Sequence, residues 1–247
     1  MADLGPALWP ILVLAIVAGL SDMLGGWLAL RKEHFDDPRY IVALASGIVV
    51  SAVFFELMPE SVEGITGDGL RFQMLIMALG FFSFYCIEKV LMLHACGEPE
   101  CEEHAYSPTM VAGMAADNIV DGIGIAAGFL ISPLVGITIT VVVVAHEIPQ
   151  GITSAELLKH ANWPRKRIVV FIAAAGAMYV VGALLTSVIS PEFYQGALAF
   201  VTGTFIYIGA ADLMAEAHRK FNWRVIVIVL SGAVFMALLA SVEGFVG

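Results

Sequence analysis

Two apolar stretches contain groups that hydrocarbon does not welcome. "MVAGMAADNIVDGIGIAAGFL" holds Asp117, Asn118 and Asp121 near its centre, and "VVVVAHEIPQGITSAE" holds His146, Glu147 and Gln150. On a helix, positions i and i+4 share a face and i+1 adjoins it. Asp117 therefore aligns with Asp121 and His146 with Gln150, with Asn118 and Glu147 beside them. A carboxylate at the centre of a bilayer costs roughly 2.5 to 3.5 kcal/mol, so three, ionised and unpaired, cost on the order of 7 to 10 kcal/mol. Neither stretch carries a lysine or arginine to offset them. Protonation is one resolution and a bound divalent cation the other. Carboxylate, imidazole and amide donors suit zinc, iron, manganese or cadmium, and form too mixed a shell for a dedicated calcium or magnesium cage. Pro149 removes a backbone donor and crowds the carbonyl of Ala145, which predicts a kink that turns a carbonyl toward the site. Gly122, Gly124 and Gly128 predict close approach of neighbouring backbones.

The elements that hold these groups follow from composition. Of 247 residues, 60% are hydrophobic and 14% charged, and the mean hydropathy is +0.89, against about 25% charged residues in soluble domains. Runs long enough to cross a bilayer lie at about 8 to 30, 39 to 58, 72 to 93, 108 to 130, 133 to 158, 166 to 189, 193 to 216 and 223 to 245. The period-2 alternation of a membrane barrel is absent, so the chain reads as an all-α polytopic membrane protein of eight transmembrane helices, a single domain over residues 1–247. The first run lacks a basic flank and reads as an uncleaved helix. Three cysteines, Cys86, Cys96 and Cys101, are too scattered for a disulfide framework. The net charge of −10 argues against a nucleic-acid partner.

Eleven of the twelve lysines and arginines fall at odd-numbered connections, and only Arg71 lies on the other side. The positive-inside rule then places both termini outside the cytoplasm. A second regularity joins the second and seventh runs. "GIVVSAVFFELMPES" and "GTFIYIGAADLMAEA" each set a glycine nine residues before an acid-Leu-Met-x-Glu sequence. The two runs cross in opposite senses, which predicts an inverted repeat, the construction of many secondary transporters; if its halves are helices 1–3 and 6–8, helices 4 and 5 lie between them.

With these motifs in view, the sequence resembles the ZIP (Zrt/Irt-like) family of metal-ion transporters. "DNIVDGIGIAAGF" is similar to its helix 4 motif and "HEIPQGITSAELL" to its helix 5 motif, while "ELMPES" and "GTFIYIGAADLMAE" resemble its helix 2 and helix 7 signatures. The resemblance extends over nearly the whole chain. It implies an eight-helix carrier, arranged 3+2+3 with an inverted repeat of helices 1–3 and 6–8 around helices 4 and 5, often a homodimer in the cell membrane, that moves divalent transition metals into the cytoplasm. Carried over by position, it implies a primary site of Asp117, Asp121, His146 and Gln150, and a neighbouring one of Asn118 and Glu147 with Asp121 and Gln150 facing both. Asp117 stands where the family usually has histidine, which hardens the shell toward iron and manganese. Gln150 bridges two cations less well than a carboxylate.

Glu56 and Glu60 fall at the outer end of the second helix, and Asp212 and Glu216 at the inner end of the seventh, so a pair of acids is expected near each mouth of a cation pathway. Asp22, deep in the first helix, reads either as a relay or as a packing contact. The short acidic loop over residues 94–107 carries His94, Cys96, Cys101 and His104, soft ligands for metal capture on the cytoplasmic side, or a solvated linker. The leading expectation is transport by alternating access, with helices 1–3 and 6–8 rocking against the central pair. The expected partners are membrane lipid and the metal ion as substrate, with no organic cofactor. Two rivals are an intramembrane metal-dependent hydrolase, since "HEIPQ" resembles H-E-x-x-H with Glu147 as base, and a metal-sensing membrane protein built on the loop.

Overall fold

Without water at membrane depth, a chain must satisfy its backbone groups internally, and all regular structure among the described residues is helical. The computed structural model describes residues 5–31, 39–95, 108–218 and 221–246. Eight helices are long and apolar enough to cross a membrane. They are α1 (Gly5–Arg31), α2 (Arg39–Ser61), α3 (Asp68–Ala95), α4 (Pro108–Ile131), α5 (Pro133–His160), α6 (Arg165–Val188), α7 (Pro191–Ala217) and α8 (Trp223–Val246). Turn chemistry separates them where expected: Gly64 and Gly67 take positive φ between α2 and α3, and Asn162 does so after α5. Helix α5 runs on through Pro149 as one helical element instead of breaking there.

Packing regroups the chain. Helix α1 lies chiefly on α5, α6 on α4, and α4 on α5, while α2 packs on α8, α3 on α7, and α2 also on α7. The order along the chain is 3+2+3, but in space α1, α4, α5 and α6 form one group and α2, α3, α7 and α8 the other. The two groups meet where α7 crosses α4 and α2 crosses α5.

Glycines set these pairings because each lets one backbone touch the next. A Cβ on Gly25 would overlap the Ile148 carbonyl and one on Gly151 the Asp22 carbonyl, joining α1 to α5. Gly122 against the Tyr179 carbonyl and Gly182 against the Ile119 carbonyl repeat the device between α4 and α6. In the second group, Gly47 of α2 meets the Val229 carbonyl of α8, and Gly203 of α7 meets the Met77 carbonyl of α3. Gly47 and Gly203 are the two glycines of the sequence repeat. Their helices also relax at equivalent places, into π turns at Val53–Leu57 in α2 and Tyr207–Leu213 in α7, which carry Glu56 and Asp212 respectively. Such turns add a residue to the helical repeat and locally loosen its hydrogen bonding.

The outward face is apolar. Leu75, Leu79 and Phe82 of α3 and Val234 and Leu238 of α8 are exposed, as lipid-facing positions are. Arg31 lies over Trp27 at 4.1 Å and Arg167 over Trp163 at 4.0 Å, aromatic and cationic anchors of an interface. Because the Gly203 contact is backbone to backbone, neither side can give way. Gly203→Ala is expected to destabilise the protein by about 1 to 3 kcal/mol. Gly196→Ala in the same helix, whose Cβ would sit an ordinary 3.6 Å from Ile76 Cδ1, is expected to change stability by less than about 0.5 kcal/mol; thermal unfolding in detergent compares the two.

Candidate metal centre

The six polar residues of α4 and α5 converge in the interior. Asn118, Asp121, His146 and Glu147 are fully buried, Asp117 nearly so, and Gln150 half-buried. Among the described residues no lysine or arginine is buried with them.

His146 organises the centre. Its Nδ1 lies 2.9 Å from the Val142 carbonyl. A carbonyl only accepts, so Nδ1 carries a proton, and in the neutral ring Nε2 is left as a lone pair. That atom faces Asp121 Oδ2 at 3.2 Å and Glu147 Oε1 at 3.3 Å. A lone pair set against two carboxylates in a dry site is repulsive unless a cation lies between them, either a proton on Nε2 or a metal. The spacing suits a metal: donors bound tetrahedrally to zinc at about 2.0 to 2.1 Å stand about 3.3 Å apart. Ligand atoms of Asp121, His146 and Glu147 all lie within 4.8 Å of one another. The ring of Phe205 from α7 meets the imidazole edge-on at 5.6 Å and holds its plane.

The amides are oriented by their donors. Asn118 donates Nδ2–H to the Ala175 carbonyl of α6 at 2.9 Å, which leaves its buried Oδ1 without a hydrogen bond. Gln150 donates to Asp117 Oδ2 at 3.2 Å. Asp117 and Gln150 thus form a pair beside the Asp121, His146 and Glu147 cluster. Both Asp121 oxygens, both Glu147 oxygens and Asp117 Oδ1 are buried and receive no hydrogen bond. Burying so many acceptors without donors is costly, and a divalent cation is the single species that would satisfy several at once.

A cavity of about 190 Å³ opens from the Asp117 and Gln150 side. It is lined by Met114, Tyr207 and Asp212 among others, and Asp212 is exposed. Of the four acids expected at the mouths, Asp212 therefore shares a cavity with the centre. Glu216 stands one turn further along α7, and Glu56 and Glu60 lie half-buried in the last turns of α2. His94 belongs to the last turn of α3, while Cys96, Cys101 and His104 lie outside the described residues.

Two residues at the centre come from other helices. Tyr179 of α6 is fully buried, its hydroxyl has no hydrogen-bond partner, and its carbonyl meets Gly122 of α4. In sequence it is one aromatic in an apolar run. Asp22 of α1 is fully buried too, and its depth was the only signal that marked it. A further signal was present in the sequence: Ala116–Gly122 (ADNIVDG) and Ala145–Gly151 (AHEIPQG) share alanine, isoleucine and glycine in register. They set Asp117 opposite His146, Asn118 opposite Glu147 and Asp121 opposite Gln150. The matching glycines receive the backbones of α6 and α1, so α4 and α5 are themselves equivalent halves of the centre.

The chain is similar to known proteins over most of its length. The sequence profile described as ZIP Zinc transporter matches residues 94–240, which include both motif helices. Zinc transporter ZIP13 of Pongo abelii is 25% identical over 94% of this chain and 74% of its own length, and that of Gallus gallus is 24% identical over 94% and 80%. Zinc transporter zipt-7.2 of Caenorhabditis elegans is 28% identical over 58% of this chain and 34% of its own. Eight membrane-length helices and a buried donor cluster on the fourth and fifth accompany a profile match across more than half of the sequence: this chain belongs to the ZIP zinc transporter family.

Proposed function

We propose that this protein carries divalent transition-metal ions, zinc foremost and iron, manganese or cadmium as further substrates, across the cell membrane toward the cytoplasm through the centre on α4 and α5. The observation that carries this reading is the His146 Nε2 lone pair directed at Asp121 and Glu147. A metal substrate would take Asp121, His146 and Glu147 as ligands, with Asp117, Asn118 and Gln150 supplying further oxygens. Its two positive charges would offset the buried carboxylates, so occupancy and conformation are linked. The backbone contacts of α1 on α5 and α6 on α4 support a moving unit of α1, α4, α5 and α6, and not rocking of helices 1–3 and 6–8 against the central pair. The cavity beside Asp117, Gln150 and Asp212 supports an exit on the cytoplasmic side, with Asp212 taking the released ion. Of the three functions weighed in the sequence, transport also agrees with the printed names of the relatives, which are zinc transporters.

In proteoliposomes the purified protein is expected to show saturable zinc flux, with cadmium, iron(II) and manganese ranked behind it. His146→Ala and Asp121→Ala are each expected to lower flux by more than about tenfold; binding without flux under an imposed gradient would sink the transport reading. Asp212→Ala is expected to slow turnover several-fold while leaving equilibrium metal affinity within about twofold, because it acts on the exit and not on the centre. For orientation, an epitope tag at either terminus is expected to be digested by protease added outside intact cells, and protection of both tags would reverse the direction assigned to transport. A homodimer is proposed as the assembled form, read out by light scattering of the detergent-solubilised protein.

A further inference from the structure

Asp22 has no work in the scheme above. It sits in the middle of α1 with no exposed surface, and neither carboxylate oxygen takes part in a hydrogen bond. Its neighbour Ser21 offers nothing, since Ser21 Oγ is bonded to the Ala18 carbonyl of its own helix. The side chain is aimed at α5: a Cβ on Gly151 would stand 2.8 Å from Asp22 Oδ1 and would overlap the Asp22 carbonyl. Gly151 lies one helical turn beyond Glu147 on the same face of α5. The missing side chain at 151 is therefore the space into which the Asp22 carboxylate projects, against the turn of α5 that follows Glu147.

Pseudosymmetry gives an independent reason to place Asp22 in the centre. Asp22 meets Gly151 as Tyr179 meets Gly122, each by its backbone carbonyl. Gly25 and Gly182 follow three residues later with matching contacts to Ile148 and Ile119. The two flanking helices thus each bring one buried oxygen group inward at equivalent positions, and on the α1 side that group is an acid. The contacts that put it there also fasten α1 to α5, so Asp22 would keep its place against α5 when the central helices move as a unit.

We propose that Asp22 is a metal-binding residue of this transporter, a carboxylate that α1 adds to the donors of α4 and α5. It gives the centre a fourth acid where Gln150 is neutral, and it takes divalent ions that favour oxygen ligands. This rests on the transport site proposed above, and the test separates the two. Zinc and cadmium affinity is measured on the full-length protein in detergent for the wild type, Asp22→Asn, Asp22→Cys and His146→Ala. Asp22→Asn keeps the shape and removes the charge, so its affinity is expected to fall at least about tenfold, the lower end of what loss of even an outer-shell partner costs. Asp22→Cys, with Cys86, Cys96 and Cys101 replaced by serine, is expected to give the ultraviolet cadmium–thiolate charge-transfer band that the cysteine-free parent lacks. Cadmium bound to Asp22→Cys without that band, or Asp22→Asn binding like wild type, overturns the assignment of Asp22 while leaving the site intact. Wild-type affinity in His146→Ala overturns the site itself.

Discussion

Negative charge buried without a counter-charge is the condition around which this protein is built. Asp117, Asp121 and Glu147 lie in the interior, and among the described residues no lysine or arginine is buried with them. In that setting a carboxylate has few stable states: neutral by protonation, or bound to a cation. The hydrogen bond from His146 to Val142 sharpens the choice, because it commits the ring's other nitrogen to the carboxylates. Two further hydrogen bonds fix the amides of Asn118 and Gln150. The proposed centre is thus held in shape by hydrogen bonds of its own residues.

The scaffold meets a different demand, since apolar side chains gain little from leaving lipid for one another. Association depends instead on close backbone contact, and the glycines provide it in matched pairs: Gly25 and Gly182, Gly122 and Gly151, Gly47 and Gly203. Each pair occupies equivalent places in the two halves of the inverted repeat. The same symmetry places the π turns of α2 and α7. One construction, used twice, builds both the group that holds the centre and the group that surrounds it.

Some of this was legible in the sequence for plain physical reasons. Hydrocarbon thickness sets a helix length, so eight apolar runs give eight helices. Charge is scarce in such runs, so six polar residues at one depth stand out. The glycine-to-acid spacing exposed the repeat of α2 and α7. Contacts between distant helices were not legible. Small residues announce a close approach but not the partner, so nothing in the sequence paired α1 with α5 or α6 with α4, and 3+2+3 gave no hint of two groups of four. Asp22 stands alone in its helix, with no i+4 partner to reveal its face. Tyr179 has the composition of a core or interface residue, and only three-dimensional packing brings it to Gly122 of α4. The likeness of ADNIVDG to AHEIPQG could be read from the letters, yet its meaning depends on which helix rests on each glycine.

The cavity beside Asp117, Gln150 and Asp212 also bears on water. A volume of about 190 Å³ is room for several water molecules. On the transport reading proposed above, an ion leaving the carboxylates on that side would regain hydration while still within the protein, which would spread the energetic penalty of release along the passage. Another face of α5 borders a larger cavity of about 500 Å³ lined almost wholly by apolar side chains, Val144, Ala145 and Ile148 among them. The flank that carries polar groups suits water and the apolar one does not, which sets the two sides of α5 apart although the helices that frame them are nearly symmetric.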